Sequence, residues 1–229
     1  MRRFVKVEVL IILAIILSSG SLVSWKLVNS GVRFDDGSRE TKVIASLLGQ
    51  GYRFVLPRDY FNGDNLGKVA LLLHDGDYNN NGMAKFIQVE TGFGVKSCFL
   101  PRPDSEWFSA AIIDYKNVEA RGWEVGYQYD CLSRVNGSVV LAAQMFRGQL
   151  SYMRALFNVS TTDYHGDYVN PTVFNLNLYN ETLWHSLGLS EIYSLKNCSY
   201  FSDTDNVLHS PGLPLKDLVM VQLHTDWTK

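Results

Sequence analysis

From Ser38 onward, the apolar positions along the chain switch between two periods. In SRETKVIASLLGQG, Val43, Ile44, Leu47 and Leu48 recur at the spacing of one helical face, and the segment stops at glycine. YRFVL and KVALLLH follow as compact apolar runs of strand length. NGMAKFIQVETGFG then reads as a helix and VKSCFL as a strand, SEWFSAAIIDYKNVEARG as a helix and WEVGYQ as a strand. SVVLAAQMFRGQLSYMRA is the next helix and LFNVST the next strand. The last third is looser, passing through WHSLGLSEIYSL, and closes on the strand LVMVQLH. Short apolar strands alternating with helices predict a parallel sheet buried on both faces, in a single α/β domain covering residues 31–229.

The pattern before that domain is of another kind. Arg2, Arg3 and Lys6 precede VEVLIILAIILSSGSLV, whose only charge is Glu8 near its start. The apolar stretch from Val9 to Val23 is short for a span of ~20 residues, yet longer than many signal-peptide cores. Ser18-Ser19-Gly20 offers small residues that a signal peptidase accepts. Residues 1–30 are therefore expected to be either a cleaved signal peptide or a transmembrane signal anchor with a short cytoplasmic tail. Both place the main domain outside the cytoplasm, secreted or held at the membrane by its N-terminal helix. A buried soluble helix is the weaker alternative, because three cations precede the uncharged run. Asn136, Asn158, Asn180 and Asn197 each open an N-glycosylation tripeptide, which agrees with export.

Composition narrows the partners. At 229 residues with 46% hydrophobic content, the chain can bury one sizeable core. A net charge of -2 supplies no basic field, which argues against nucleic acid. Cys98, Cys131 and Cys198 allow at most one internal disulfide, and their wide spacing does not read as a zinc knuckle. Cys98 sits in an apolar strand-like run and reads as an inert core residue.

Candidate chemistry lies where the strands end. KVALLLH delivers His74, Asp75 and Asp77; WEVGYQ delivers Gln128 and Asp130; LFNVST delivers Asp163 and His165; LVMVQLH delivers His224 and Asp226. In parallel α/β folds these ends converge on one rim. Carboxylates and imidazoles around one pocket are what a Zn²⁺-type site needs, together with a base for the bound water.

These residues resemble the polysaccharide deacetylases, the NodB-like carbohydrate esterases, in a divergent branch with a His-Asp-x-Asp motif. His74-Asp75-Gly76-Asp77 matches that motif, and FIQVETGFGVKSCFL is similar to the helix-glycine-strand segment that follows it. GWEVGYQYD resembles the branch's Gly-His-Glu-Ile-Gly-x-His-x-Asp element, and TTDYHGD resembles its later His-Gly element. YFSDTD and LVMVQLHTDW resemble its closing segments, so the likeness spans roughly residues 40 to 227. Val32 to Gly37 imitates the commoner Phe-Asp-Asp-Gly signature, but it follows a polar turn; Asp35 and Asp36 are expected to begin the first helix instead.

The resemblance implies a distorted (β/α) barrel preceded by the apolar N-terminal helix, acting on a carbohydrate or polysaccharide. It implies hydrolysis of N- or O-acetyl groups with a divalent metal ion, zinc or similar, as cofactor. Asp75 would be the general base and His224 the acid that protonates the leaving group. Asp77, His165 and Gln128 would be the metal ligands. Two departures stand out: Trp123 and Gln128 occupy positions where the family pattern has histidines, and Leu132 lacks a further imidazole. Glutamine is a poor zinc ligand beside imidazole, so the site is either a weakened deacetylase or a glycan-binding pseudoenzyme. A third reading takes Asp75-Gly76-Asp77 as the Asp-x-Asp of a membrane-anchored glycosyltransferase that holds a nucleotide sugar through Mn²⁺. The short chain and the unexplained His-Gly and closing His elements count against it.

Overall fold

The computed structural model describes residues 38–76, 80–166, 170, 172–203, 208–211 and 214–224. The expected apolar helix at Val9 to Val23, the Asp35-Asp36 turn, Asp77 and Asp226 lie outside the described residues. Among those described, no helix is long and apolar enough to cross a membrane.

Helices and strands alternate along the chain. The order is α1 (Ser38–Gly49), β1 (Arg53–Phe54), α2 (Pro57–Phe61), β2 (Val69–Asp75), α3 (Asn80–Phe93), β3 (Cys98–Leu100) and α4 (Phe108–Ala120). Then come β4 (Glu124–Val125), β5 (Tyr127–Tyr129), α5 (Cys131–Arg134), α6 (Val139–Arg154) and β6 (Thr161–Tyr164). A 3-10 turn at Asn175–Leu178 leads to α7 (Glu181–Ser186), β7 (Ser190–Glu191), β8 (Ser199–Ser202) and β9 (Leu218–His224). Every pairing between these strands is parallel.

Side-chain alternation along β2 sets the layers. Val69, Leu71 and Leu73 point to an inner cluster with Cys98, Leu100, Ile192, Leu218 and Met220. Ala70 and Leu72 point the other way, to an outer layer shared with Phe99, Val125, Val219 and Val221. The helices close that outer layer. Val43, Ile44 and Leu47 of α1, Met83, Phe86 and Ile87 of α3, and Phe146, Leu150 and Met153 of α6 are buried there. With both faces covered, β2 is buried at all seven positions, which is why it reads as an unbroken apolar run. α1 stops where Gly51 adopts φ +83, letting the Tyr52 amide turn back onto the Leu47 carbonyl at 3.0 Å.

WEVGYQ, expected as one strand, is two. The wall bends at Gly126, whose amide bonds to the Phe99 carbonyl at 2.8 Å. A Cβ there would meet Leu100 Cδ2 at 2.7 Å and the Thr161 carbonyl at 3.0 Å, so the close approach needs glycine. On one side of the bend β4 pairs with β3; on the other β5 pairs with β6.

Among the described residues the strands form a curled wall of two parallel sheets, and pairing all the way round the expected distorted barrel is not seen. One sheet runs β4-β3-β2-β9-β8, with β1 also on β2, and the second runs β5-β6-β7. Among the described residues no strand pairing joins β7 to β8. β7 is only two residues long and runs straight into a 3-10 turn at Ile192–Ser194, leaving it no backbone edge to offer. Side chains span the gap instead: the Tyr193 and Tyr200 hydroxyls meet at 3.1 Å, and the Gln222 amide approaches Asp163 at 3.4 Å.

The LFNVST strand also moves. Phe157 and Val159 are buried in the outer layer, and the strand proper is the more polar Thr161–Tyr164. Its hydroxyls find buried partners, Thr161 on Glu124 and Thr162 on Glu191, so polar residues serve as strand residues here.

Candidate functional site

Asp75 and His224 are the last residues of neighbouring parallel strands and lie side by side in register. Asp75 continues the inner-facing series of β2, so its carboxylate points into the mouth of the curled wall. His224 Nε2 lies 3.3 Å from Asp75 Oδ2, and its Nδ1 lies 2.7 Å from Asp203 Oδ1. The His224 backbone amide bonds to the same Asp203 oxygen at 3.0 Å, while Arg39 holds the other Asp203 oxygen at 3.0 Å. The imidazole is thereby clamped between two carboxylates. Burial by itself would lower its pKa, but the hydrogen bonds to Asp203 and Asp75 outweigh this and carry it to about 11.

Asp75 shows the reciprocal effect. Its burial favours the neutral acid, yet His224, Gln222 and Gln128 together hold the carboxyl below its ordinary value. Gln222 Nε2 donates to Asp75 Oδ1 at 2.7 Å. Tyr200 donates to the Gln222 carbonyl and fixes which way that amide points. Asp163 lies beyond Gln222 and is pushed well above the usual carboxylate range by burial and by the nearby charges of Glu191 and Asp75. The mouth therefore holds an Asp75–His224 ion pair beside a carboxyl that favours its proton.

The remaining candidates stand on the same C-terminal edge of the wall, in different surroundings. Gln128, on β5 opposite Asp163, is fully buried, and its side-chain amide faces Asp75 closely enough to help hold that carboxyl down. His165 follows β6, its amide bonded to the Tyr129 carbonyl at 2.7 Å. Its Nδ1 faces Arg102 Nη1 at 3.1 Å, and the same guanidinium nitrogen reaches Asp130 at 3.3 Å. A cation against the imidazole, together with a neutral amide in place of a second one, fits a zinc ion poorly. Asp77 is outside the described residues, and the described residues of the rim do not by themselves form a zinc ligand set.

His74 departs from the sequence reading most sharply. The alternation of β2 turns it away from Asp75, into the layer between the sheet and the helices α1 and α3. There it bonds to Glu90 at 2.8 Å, stacks on Phe86 at 4.1 Å and is wholly buried. Trp123, where the resemblance expects a histidine, donates from its Nε1 to Glu90 at 2.5 Å and belongs to that core cluster. Tyr127 is likewise core. Tyr164, which packs against the outer layer, makes an edge contact with the exposed Phe174 at 4.9 Å.

Sequence reasoning missed Asp203, Gln222, Arg102 and Arg39 as parts of this site. Gln222 was readable, since it sits two residues before His224 on the same strand and so shares its face. Asp203 follows β8 immediately, at a strand end like the others.

No family model and no curated protein matches the chain. Among solved structures, it is similar to the catalytic domain of a peptidoglycan N-acetylglucosamine deacetylase from Eubacterium rectale. That match has 15% identity and a TM-score of 0.46 over 69% of this chain and 77% of the other. It is also similar to a family 4 carbohydrate esterase from Bacillus anthracis, with 15% identity and a TM-score of 0.45 over 80% of this chain and 77% of the other. At this identity no side chain is carried over from either protein, and the site rests on its own geometry.

Proposed function

We propose that the rim is an acyl-hydrolase site of low turnover for an acetylated glycan, on a domain held outside the cytoplasm. The observation that carries this reading is the Asp203–His224–Asp75 chain at the open mouth of the wall. Asp75 would take a proton from water as it attacks the acyl carbon. His224, oriented by Asp203, would give its Nε2 proton to the departing amine or alkoxide. Low turnover follows from the same geometry: a carboxylate held below its ordinary pKa is a weak base, and an imidazolium held at about 11 is a reluctant acid.

No step is routed through a metal, because Gln128 and the Arg102-bound His165 do not make a zinc site. This same poverty of ligands favours a second reading, glycan binding without cleavage. Acetate release from N-acetylated chitooligosaccharides, measured beside direct binding of the same sugars, separates the two. Slow release that stops in Asp75→Asn supports the hydrolase. Binding with no release at all gives the pseudoenzyme. A response to UDP-sugars and Mn²⁺ alone would favour the transferase, against which Asp75 is already engaged by His224 and Gln222. Extracytoplasmic placement rests on residues 1–30 and the four tripeptides; protease protection of the domain in intact vesicles checks it.

A further inference from the structure

We propose that Glu40, His74 and Glu90 form a buried divalent-cation site, separate from the rim, that ties the helices α1 and α3 to the back of β2. Each residue comes from a different element, and all three are fully buried. Their ligand atoms all lie within 4.8 Å of one another. His74 Nε2 is 2.8 Å from Glu90 Oε1 and 3.5 Å from Glu40 Oε1. Bonds of 2.0–2.1 Å in a tetrahedral shell put ligand atoms roughly 3.3 Å apart. The His74–Glu40 edge of the triangle is already close to that length, the His74–Glu90 edge opens by about half an ångström, and the Glu40–Glu90 edge stands within 4.8 Å.

Two observations beyond the cluster point to an ion. Glu40 is fully buried, and outside this cluster neither of its carboxylate oxygens has a hydrogen-bond partner among the described residues; within it, the nearest group is His74 Nε2, 3.5 Å from Oε1. A buried carboxylate left this way is costly unless a charge compensates it. Glu90, by contrast, is held for one-sided binding. Trp123 Nε1 occupies its Oε2, while its Oε1 faces His74 and accepts from the Ser97 hydroxyl at 2.8 Å. Outer partners that fix a ligand's orientation in this manner are characteristic of metal sites. Two carboxylates, one neutral imidazole and a doubly charged cation sum to zero charge, which is what an apolar casing of Phe86 and Phe99 demands. Mixed carboxylate and imidazole donors suit Zn²⁺ or Mn²⁺, with the Ser97 hydroxyl or a water completing the shell.

The test uses the purified full chain, stripped with chelator and dialysed against Zn²⁺ or Mn²⁺. One tightly held ion per chain by elemental analysis is expected, with an unfolding midpoint several degrees higher than in the stripped protein. Glu40→Gln should lose both, while His165→Ala at the rim should keep both. Because Glu40→Gln could fail to fold, a Co²⁺-loaded native protein provides a second readout. Its Phe86 ring protons should show large paramagnetic shifts. No bound ion in the native protein overturns the site. So does an ion that survives Glu40→Gln but is lost in His165→Ala, and so does Co²⁺ binding that leaves Phe86 unshifted.

Discussion

His74 and Asp75 are neighbours in sequence and face opposite sides of the same strand. Each is an ionisable residue set among partners of opposite charge. On the inner face, Asp75 meets His224, Gln222 and Gln128, and His224 meets Asp203, which in turn meets Arg39. That charge is balanced by side chains from four elements, beside a half-open mouth. On the outer face, His74 meets two carboxylates in a sealed layer, and among the described residues no arginine or lysine side chain bonds to either. The inner arrangement is complete as protein and open to a ligand. The outer one is closed to solvent and short of positive charge.

The sharpest way to break this contrast is His74→Leu. The change leaves Glu40 and Glu90 facing each other in the core without the imidazole between them. Stability should fall by about 3–5 kcal/mol in urea unfolding, the usual cost of stripping one partner from a buried charge cluster. Asp75→Asn should cost much less, because the amide keeps the Gln222 side and His224 keeps Asp203. Comparable losses at the two positions would mean that the faces do not differ as described.

A milder change tests the outer cluster alone. Trp123→Phe keeps an aromatic ring in the layer, though a smaller one, and deletes the Nε1 donor to Glu90. Loss of a hydrogen bond to a buried charged acceptor should cost about 1–3 kcal/mol. It should also leave acetate release at the rim unchanged.

The two histidines also separate by pH. Burial lowers both, but carboxylate partners raise His74 to about 9 and His224 to about 11. A raised imidazole contributes stability that is whole below the unfolded value near 6.5 and is lost as pH climbs through the folded value. In the ion-stripped protein His74 should therefore give way first on the alkaline side. Asp75 acts in the opposite direction, its contribution fading as pH falls below 3.8. Asp203→Asn should bring His224 back toward its ordinary pKa in an NMR titration and leave His74 where it was. A His224 value unmoved by that substitution would show that Asp75 alone sets it.

Much of this molecule was legible in advance, for reasons that particular residues make clear. β2 and β9 carry largely apolar runs because both of their faces are covered, and such runs declare themselves. The ends of those runs placed Asp75 and His224 on one rim. β7 and β8 left no such signal: SE and SYFS have polar residues at buried positions, where tertiary partners rather than hydrophobicity hold the strand. The bend at Gly126 was hidden for another reason. Its cause is the approach of Leu100 and Thr161, contacts remote in sequence. The misplacing of His74 at the rim was avoidable, since period-two alternation already sends consecutive residues to opposite faces.

The smallest expected change in stability, and the finest test of the rim, is Gln128→His. Gln128 is fully buried, opposite Asp163 and facing Asp75, so an imidazole of similar reach that keeps an N–H toward Asp75 should be accommodated with little change in unfolding free energy. Its effect on metal affinity should be much larger. An imidazole nitrogen is a far better zinc donor than an amide oxygen, and its neighbours on the rim are Asp75, Asp163 and His165. Calorimetry with Zn²⁺, Co²⁺ and Mn²⁺ on both forms reads this directly, in a Glu40→Gln background so that the core cluster does not contribute. Zinc binding weak in the native rim and at least tenfold tighter after the substitution places Gln128 in a ligand position. Tight binding already present, and unchanged by the new histidine, would remove Gln128 from the site and with it the reason given for low turnover.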